Sequence, residues 1–480
     1  MIWTVLQKYS TMFIKFISGI ILARLLTPFD YGCIGMLMIF MVLAEAFIDG
    51  GFGSALIQKK RPTQEDYSTI FWFNVGMSVL LYAIIYVSAP AIARFYNIPL
   101  LCDVLRVQGV ILFIYAFNVI QRNQLHKKMN FKFLAIVTIT TSISALIITI
   151  LMAYHGFGVW ALVTQNIITA AIPALIFWFY IKWRPIWTFS VKSFRELFSF
   201  GIYMFLTHLV NRFGQQLQGL LIGRFYTAST MGYYSKADGT EKLASTSISS
   251  VMTQVTYPLY AEAQDDKEKL TNMIRRITMT LTYITFPLMF ILLLCAKPIF
   301  VLLYSDRWLQ SVPYFQVLCL AGLAYCLQSA NLQSIAAIGK SRTMFLWTLF
   351  KRIVGIGFVV GGLILWGMKG LLVGVVLNTW FAYLVNISLV SKHIGYKWWR
   401  QLFDLMPVTV ASIVAAAISY GCGYLLKLDM YPDGILKLLV YSAIYLGWSF
   451  LAKPEAFVYF KSVVDPMISK VRKRKQKKQL

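Results

Sequence analysis

Ionisable and amide side chains recur at helical spacing inside segments otherwise apolar enough to lie in a membrane. His208, Asn211, Arg212, Gln215, Gln216 and Gln218 form the richest set. At 100° per residue they fall within about 160° of arc, one wet face of one helix. A second polar face follows with Asp238, Glu241, Lys242, Ser245, Ser249 and Thr253. Near the N-terminus a thinner stripe holds Lys8, Thr11, Lys15 and Ser18, and Glu45 and Asp49 stand one turn apart soon after. Lys351 adds a further intramembrane cation. Guanidinium and ammonium groups match phosphate oxygens, and amides and hydroxyls match sugars. The chemistry these residues offer is binding of a hydroxyl-bearing anion.

Energetics require such residues to be sheltered. An ionised side chain at mid-bilayer costs about 2.5–3.5 kcal/mol on insertion scales. Lys15, Glu45 and Arg212 facing lipid would together cost roughly 8–10 kcal/mol, comparable with the stability of a domain. They are expected to face a water-filled cavity or one another, with Glu45 and Asp49 as candidate partners for Lys15. Other readings stay open. Lys8 and Lys351 lie close enough to helix ends to snorkel, and Lys15 with Glu45 could be a structural pair. Arg212 has no acidic neighbour on its own helix and is the leading candidate for ligand contact. Glu45, Asp49, Asp238 and Glu241 are the acids available for ion coupling or pairing.

The elements that must position these groups follow from composition. The 480 residues are 58% hydrophobic and only 13% charged, where soluble chains carry about 25%. Mean hydropathy is +0.66. A soluble enzyme, a disordered chain and a disulfide scaffold are excluded, and an all-α polytopic membrane protein remains. Apolar runs predict fourteen transmembrane helices, at 3–26, 32–56, 70–92, 104–121, 133–155, 158–181, 196–223, 231–260, 277–299, 312–337, 343–366, 369–391, 402–426 and 434–452.

The net charge of +26 would suggest nucleic acid in a soluble protein. Here it reports topology, because Lys and Arg concentrate on the cytoplasmic side. Alternate loops carry basic clusters, such as Lys59 with Lys60 and Arg61, and Arg122 with Lys127, Lys128 and Lys132. The intervening loops are nearly free of them, so both termini are expected in the cytoplasm. The apolar start lacks a cleavage site and reads as a retained first helix. The end reads as an amphipathic piece, 456–468, then a basic run from Val471 to Lys478 that would attract anionic lipid.

An internal repeat organises the helices. Gly19, Arg24, Thr27 and Gly32 recur at an offset of 200 as Gly219, Arg224, Thr227 and Gly232, with apolar positions matching between them. Each copy ends one helix and begins the next. Six intervening helices give both copies the same orientation, hence two parallel six-helix lobes about a pseudo-two-fold axis. The expected division is 1–190, 191–395, two extra helices at 396–452 and a cytoplasmic tail at 453–480. The offset superposes His208 on Lys8 and Gln215 on Lys15. No Walker-type loop, metal motif or catalytic constellation occurs, and the six cysteines form no C-x-x-C. No enzyme activity, metal or cofactor is assigned.

Three stretches carry a family resemblance: Ala23 to Gly32, Gly50 to Gln58, and Asn118 to Phe131. With the two-lobe repeat they resemble the multidrug/oligosaccharidyl-lipid/polysaccharide exporter superfamily. Within it the chain is similar to the Wzx-type, teichuronic- and colanic-acid-type lipid-linked oligosaccharide flippases. The resemblance implies alternating access at the bacterial cytoplasmic membrane. It further implies movement of an undecaprenyl-pyrophosphate-linked glycan, with the pyrophosphate and sugars in a basic cavity and the prenyl tail in lipid. Lys15 and Arg212 hold positions where related flippases carry basic cavity residues. Membrane lipids, a polysaccharide polymerase and glycosyltransferases are the implied partners, and nucleic acid is not. The alternative is a cation-coupled multidrug exporter of the same superfamily, which would need buried acids exposed to the cavity.

Overall fold

The computed structural model describes residues 2–338 and 340–462. Every regular element among them is helical. In chain order these are α1 (Ile2–Leu25), α2 (Pro28–Asp49), α3 (Phe52–Gln58), α4 (Gln64–Tyr96), α5 (Leu100–Gly109), α6 (Ile111–Lys127), α7 (Phe131–Tyr154) and α8 (Val159–Tyr180). Then come α9 (Val191–Phe225), α10 (Ala228–Glu262), α11 (Lys267–Leu294), α12 (Ala296–Tyr304), α13 (Ser311–Ala337), α14 (Ser341–His393), α15 (Trp398–Leu426) and α16 (Met430–Ala452).

Local chemistry sets the breaks. Thr27 and Asp30 form a reciprocal capping box that starts α2 directly after α1, and Thr63 and Asp66 do the same for α4. The predicted second helix ran unbroken to residue 56. The structure interrupts it at Gly50 and Gly51, both left-handed at φ 52° and 75°, a conformation that glycine adopts without penalty. The predicted fourth helix ended at 121, whereas α6 continues to Lys127. Trp366 and Gly367 leave helical geometry and divide α14 into two limbs.

Among the described residues, ten segments are long and apolar enough to cross a membrane, the kinked Thr343–His393 counted as one. The polar helices α1, α9 and α10 fall outside that set although each is long enough to span.

Packing groups the chain into two compact units, Met1–Lys236 and Ala237–Leu480. This boundary falls later than the repeat boundary at 190/191. One reason is that α9 lies along α2. The other is that the first turns of α10 cross the start of α2. A Cβ on Gly32 would collide with the Ala228 carbonyl, and a Cβ on Gly232 with the Pro28 carbonyl. Residues 28 and 228 are repeat equivalents, as are 32 and 232, so the contact is reciprocal, the signature of a local two-fold axis.

In the first unit α1 packs on α7, and Leu22, Leu26, Ala153, Ala161 and Leu162 form one core cluster. A second gathers Phe52, Leu56, Phe71, Ile120 and Leu197. In the second unit α13 is the most enclosed span and α16 the least. The appended α15 and α16 rest on α11, where the Tyr283 hydroxyl donates to Ser449 Oγ at 3.0 Å and the Tyr445 hydroxyl to the Tyr283 carbonyl at 3.0 Å. Residues 455–462 are helical. The remainder of the amphipathic piece and the basic run Val471–Lys478 lie outside the described residues.

Candidate functional site in the first unit

The polar face of α9 meets α2. Arg212 Nη1 stands 3.8 Å from Glu45 Oε2 and donates to the Val42 carbonyl at 3.2 Å. Both groups are about one-third exposed (35% and 29%), so the pair borders open space. Asp49, one turn further along α2, lies within electrostatic reach of Arg212, His208 and the backbone N–H groups of Gly51 and Gly53. The glycine break thus aims the start of α3 at a carboxylate, a favourable helix-terminus arrangement. His208 and Gln215 are exposed along the same helix, and Asn211 and Gln216 are half-buried.

The expected pairing of Lys15 with Glu45 is not what forms. Glu45 takes Arg212 instead, because α9 rather than α1 runs beside α2. Lys15 is exposed and has no ion-pair partner among the described residues. It points opposite to the exposed apolar residues Leu6 and Phe13 of α1. One exposed strip of α1 is therefore apolar and suited to lipid, and the other carries Lys8 and Lys15. One turn beyond Lys15 that strip is covered: Ser18 accepts from Gln165 at 3.2 Å, and the Gly19 carbonyl accepts from the buried Lys236 ammonium at 2.6 Å.

The remaining expected residues lie in the second unit. Lys242 pairs with Asp238 at 2.7 Å, one turn away on α10. Glu241 is buried at 6% exposure. Lys351 is buried at 9% and donates to Asn386 Oδ1 at 2.6 Å across the two limbs of α14.

Sequence reasoning missed the contribution of α6. Tyr115 lies within electrostatic reach of Glu45, Asp49, Arg212 and Arg122. Arg122, expected in a loop, is helical, as is His126. The available signal was spacing, since Tyr115, Asn118, Arg122 and His126 follow a three- and four-residue rhythm that makes one stripe. Other inside-loop cations serve as staples. Lys127 donates to the Leu56 carbonyl at 3.0 Å and to that of Lys59, closing the end of α3. Lys59 bridges Asp66 and Glu196 at 3.0 and 3.1 Å. Burial pulls the Lys59 ammonium down, but those hydrogen bonds and charges outweigh it and hold the group above the ordinary lysine range.

An all-helical, multi-pass membrane protein with an ionic cluster inside its first unit is the class that fold and site define. The fold is similar to that of "Lipid II flippase MurJ, inward closed conformation", with TM-score 0.74, 16% identity, and 96% of this chain and 99% of that chain covered. It is also similar to an inward-facing multidrug resistance MATE family transporter of the MOP superfamily, with TM-score 0.62, 16% identity, and 84% and 95% covered. The profile of a family described as "Polysaccharide biosynthesis protein" matches residues 21–313. The chain belongs to that polysaccharide biosynthesis protein family. Relatives include the teichuronic acid biosynthesis protein TuaB of Bacillus subtilis (strain 168), 26% identical over 347 residues, covering 72% of each chain. The lipopolysaccharide biosynthesis protein WzxC of Escherichia coli (strain K12) is 22% identical over 436 residues, covering 88% of this chain and 87% of that one.

Proposed function

We propose that the protein is a flippase that moves a polyprenyl-pyrophosphate-linked oligosaccharide from the cytoplasmic to the outer leaflet of the bacterial cytoplasmic membrane by alternating access, for surface polysaccharide synthesis. The observation that carries this reading is the partly exposed Arg212. Its Nη1 touches Glu45 only loosely, and its Nη2 has no protein partner among the described residues. A guanidinium left open in this way can take up phosphate oxygens in a bidentate contact. Lys15, on the non-lipid strip of α1, supplies a second cation, and the amides of Asn211, Gln215 and Gln216 supply groups for sugar hydroxyls. The family membership and the relatives' printed roles in teichuronic acid and lipopolysaccharide synthesis support the same reading.

In this reading α1, α9 and α10 also cross the membrane and the kinked α14 crosses twice, giving fourteen spans with both termini inside. The wet faces of α1 and α9 then line the route of the headgroup while the prenyl chain stays in lipid. The protein acts as a transporter and not an enzyme, and receives its substrate from glycosyltransferases and delivers it to a polymerase. Arg212→Ala is expected to abolish surface polysaccharide while the protein remains inserted and abundant, measured by capsule staining beside a membrane immunoblot. Normal export from that variant would remove Arg212 from the site and the reading with it.

A further inference from the structure

The first unit also contains a cavity of about 310 Å³ at the junction of α2, α3 and the last turns of α6. Its polar lining includes Asp49, Ser54, Tyr115, Asn118, Arg122 and Asn123. Gly53 forms the floor. A Cβ there would come 2.9 Å from Asp49 Oδ1 and 3.2 Å from Asn123 Nδ2. A side chain there would displace the ends of Asp49 and Asn123. Two buried polar atoms of the lining, Asn118 Oδ1 and Asn123 Nδ2, have no hydrogen-bond partner among the described residues. One is an acceptor and the other a donor, and buried groups of this kind are normally satisfied.

The mixture constrains the occupant. A phosphate offers acceptors and cannot serve Asn118 Oδ1 or Asp49. An ammonium offers donors and cannot serve Asn123 Nδ2. A ring hydroxyl does both, and Tyr115 adds an aromatic wall. The volume lies at the lower end of the range for small-molecule sites, about 300–1,000 Å³, which suits one ring and not a whole repeat unit. The exposed Arg122 adds positive charge beside the amides.

We propose that this cavity is a monosaccharide subsite that reads a single hydroxyl-rich ring of the transported glycan and favours a ring bearing a carboxylate. The proposal rests on the flippase reading and names the sugar chemistry of that same unit. Asp49 and Asn123 bind hydroxyls, and Arg122 selects the carboxylate.

The test uses the full-length protein in nanodiscs and saturation-transfer NMR with methyl glucuronide, methyl glucoside and geranyl pyrophosphate as separate probes. Saturation transfer to methyl glucuronide is expected to exceed that to methyl glucoside and to fall about fivefold or more in Asn123→Ala, as loss of one or two hydrogen bonds predicts. Arg122→Gln, a surface change that does not threaten folding, is expected to erase the preference for the glucuronide. Sugar signals unchanged in both variants overturn the subsite, and equal signals from the two sugars overturn the carboxylate preference. Absent sugar signals with geranyl pyrophosphate still in contact overturn the subsite and leave the flippase reading standing. Absence of contact from all three probes overturns both.

Discussion

The ionic groups of the two units are held in different ways. In the first unit Arg212 and Glu45 stand 3.8 Å apart, about one-third exposed, beside Asp49 and His208. In the second, Arg275 makes a two-point contact with Asp404 at 2.8 and 2.9 Å and reaches Glu455 at 2.6 Å. Asp404 is 11% exposed and also accepts from the Tyr396 hydroxyl at 2.5 Å. One arrangement is loose and open; the other is bidentate, nearly closed and saturated. Loose pairs bordering a cavity can exchange partners with a ligand, whereas saturated pairs hold helices together. The comparison separates charges available for binding from charges that maintain the fold, a distinction that residue type alone does not make.

That comparison can be broken by mutation. Arg275→Ala leaves the enclosed Asp404 without its cation, and removing one member of a buried pair costs about 3–5 kcal/mol. A sharp fall in membrane abundance and in thermal melting in detergent is expected, with export lost as a consequence; unchanged melting would show that this cluster does not staple α11 to α15. Arg212→Ala, by contrast, should lower stability by about 1 kcal/mol or less while eliminating export, so the two variants diverge in melting although both fail to export. Lys15→Glu sharpens the argument further. An acid on the open strip of α1 repels pyrophosphate, so export should fall further than in Lys15→Ala; equal export from the two variants would deny Lys15 an electrostatic role. The smallest effect is expected from Lys242→Ala. Its pair with Asp238 is half exposed on the lysine side, and such pairs contribute about 1 kcal/mol or less. A large stability loss there would mean that the second unit also contains an essential ionic staple on α10.

Several features of the fold were legible in the residues. The recurrence of Gly32 as Gly232 was read as a repeat, and the structure places both at close backbone contacts; the start of α2 was read at 32, four residues late, because the Thr27 and Asp30 capping box went unread. Periodicity also identified the wet face of α9. It did not reveal that Gly50 and Gly51 break a continuous apolar run, because apolarity measures where a segment can reside and not where its backbone turns. Arg122 was placed in a loop for the same reason: the apolar run ends at 121, while the hydrogen-bonded helix continues to Lys127.

By itself the amino-acid order determined the membrane class, the family and the wet face of α9, since these depend on composition and on angles about a single helix axis. Only the tertiary structure decided that Arg212 and not Lys15 meets Glu45, that Lys351 is enclosed by Asn386, and that α6 turns its amides toward Asp49. A helix's own periodicity sets the direction of its side chains about its axis but leaves open which neighbour lies in that direction, and that is settled by how the helices pack.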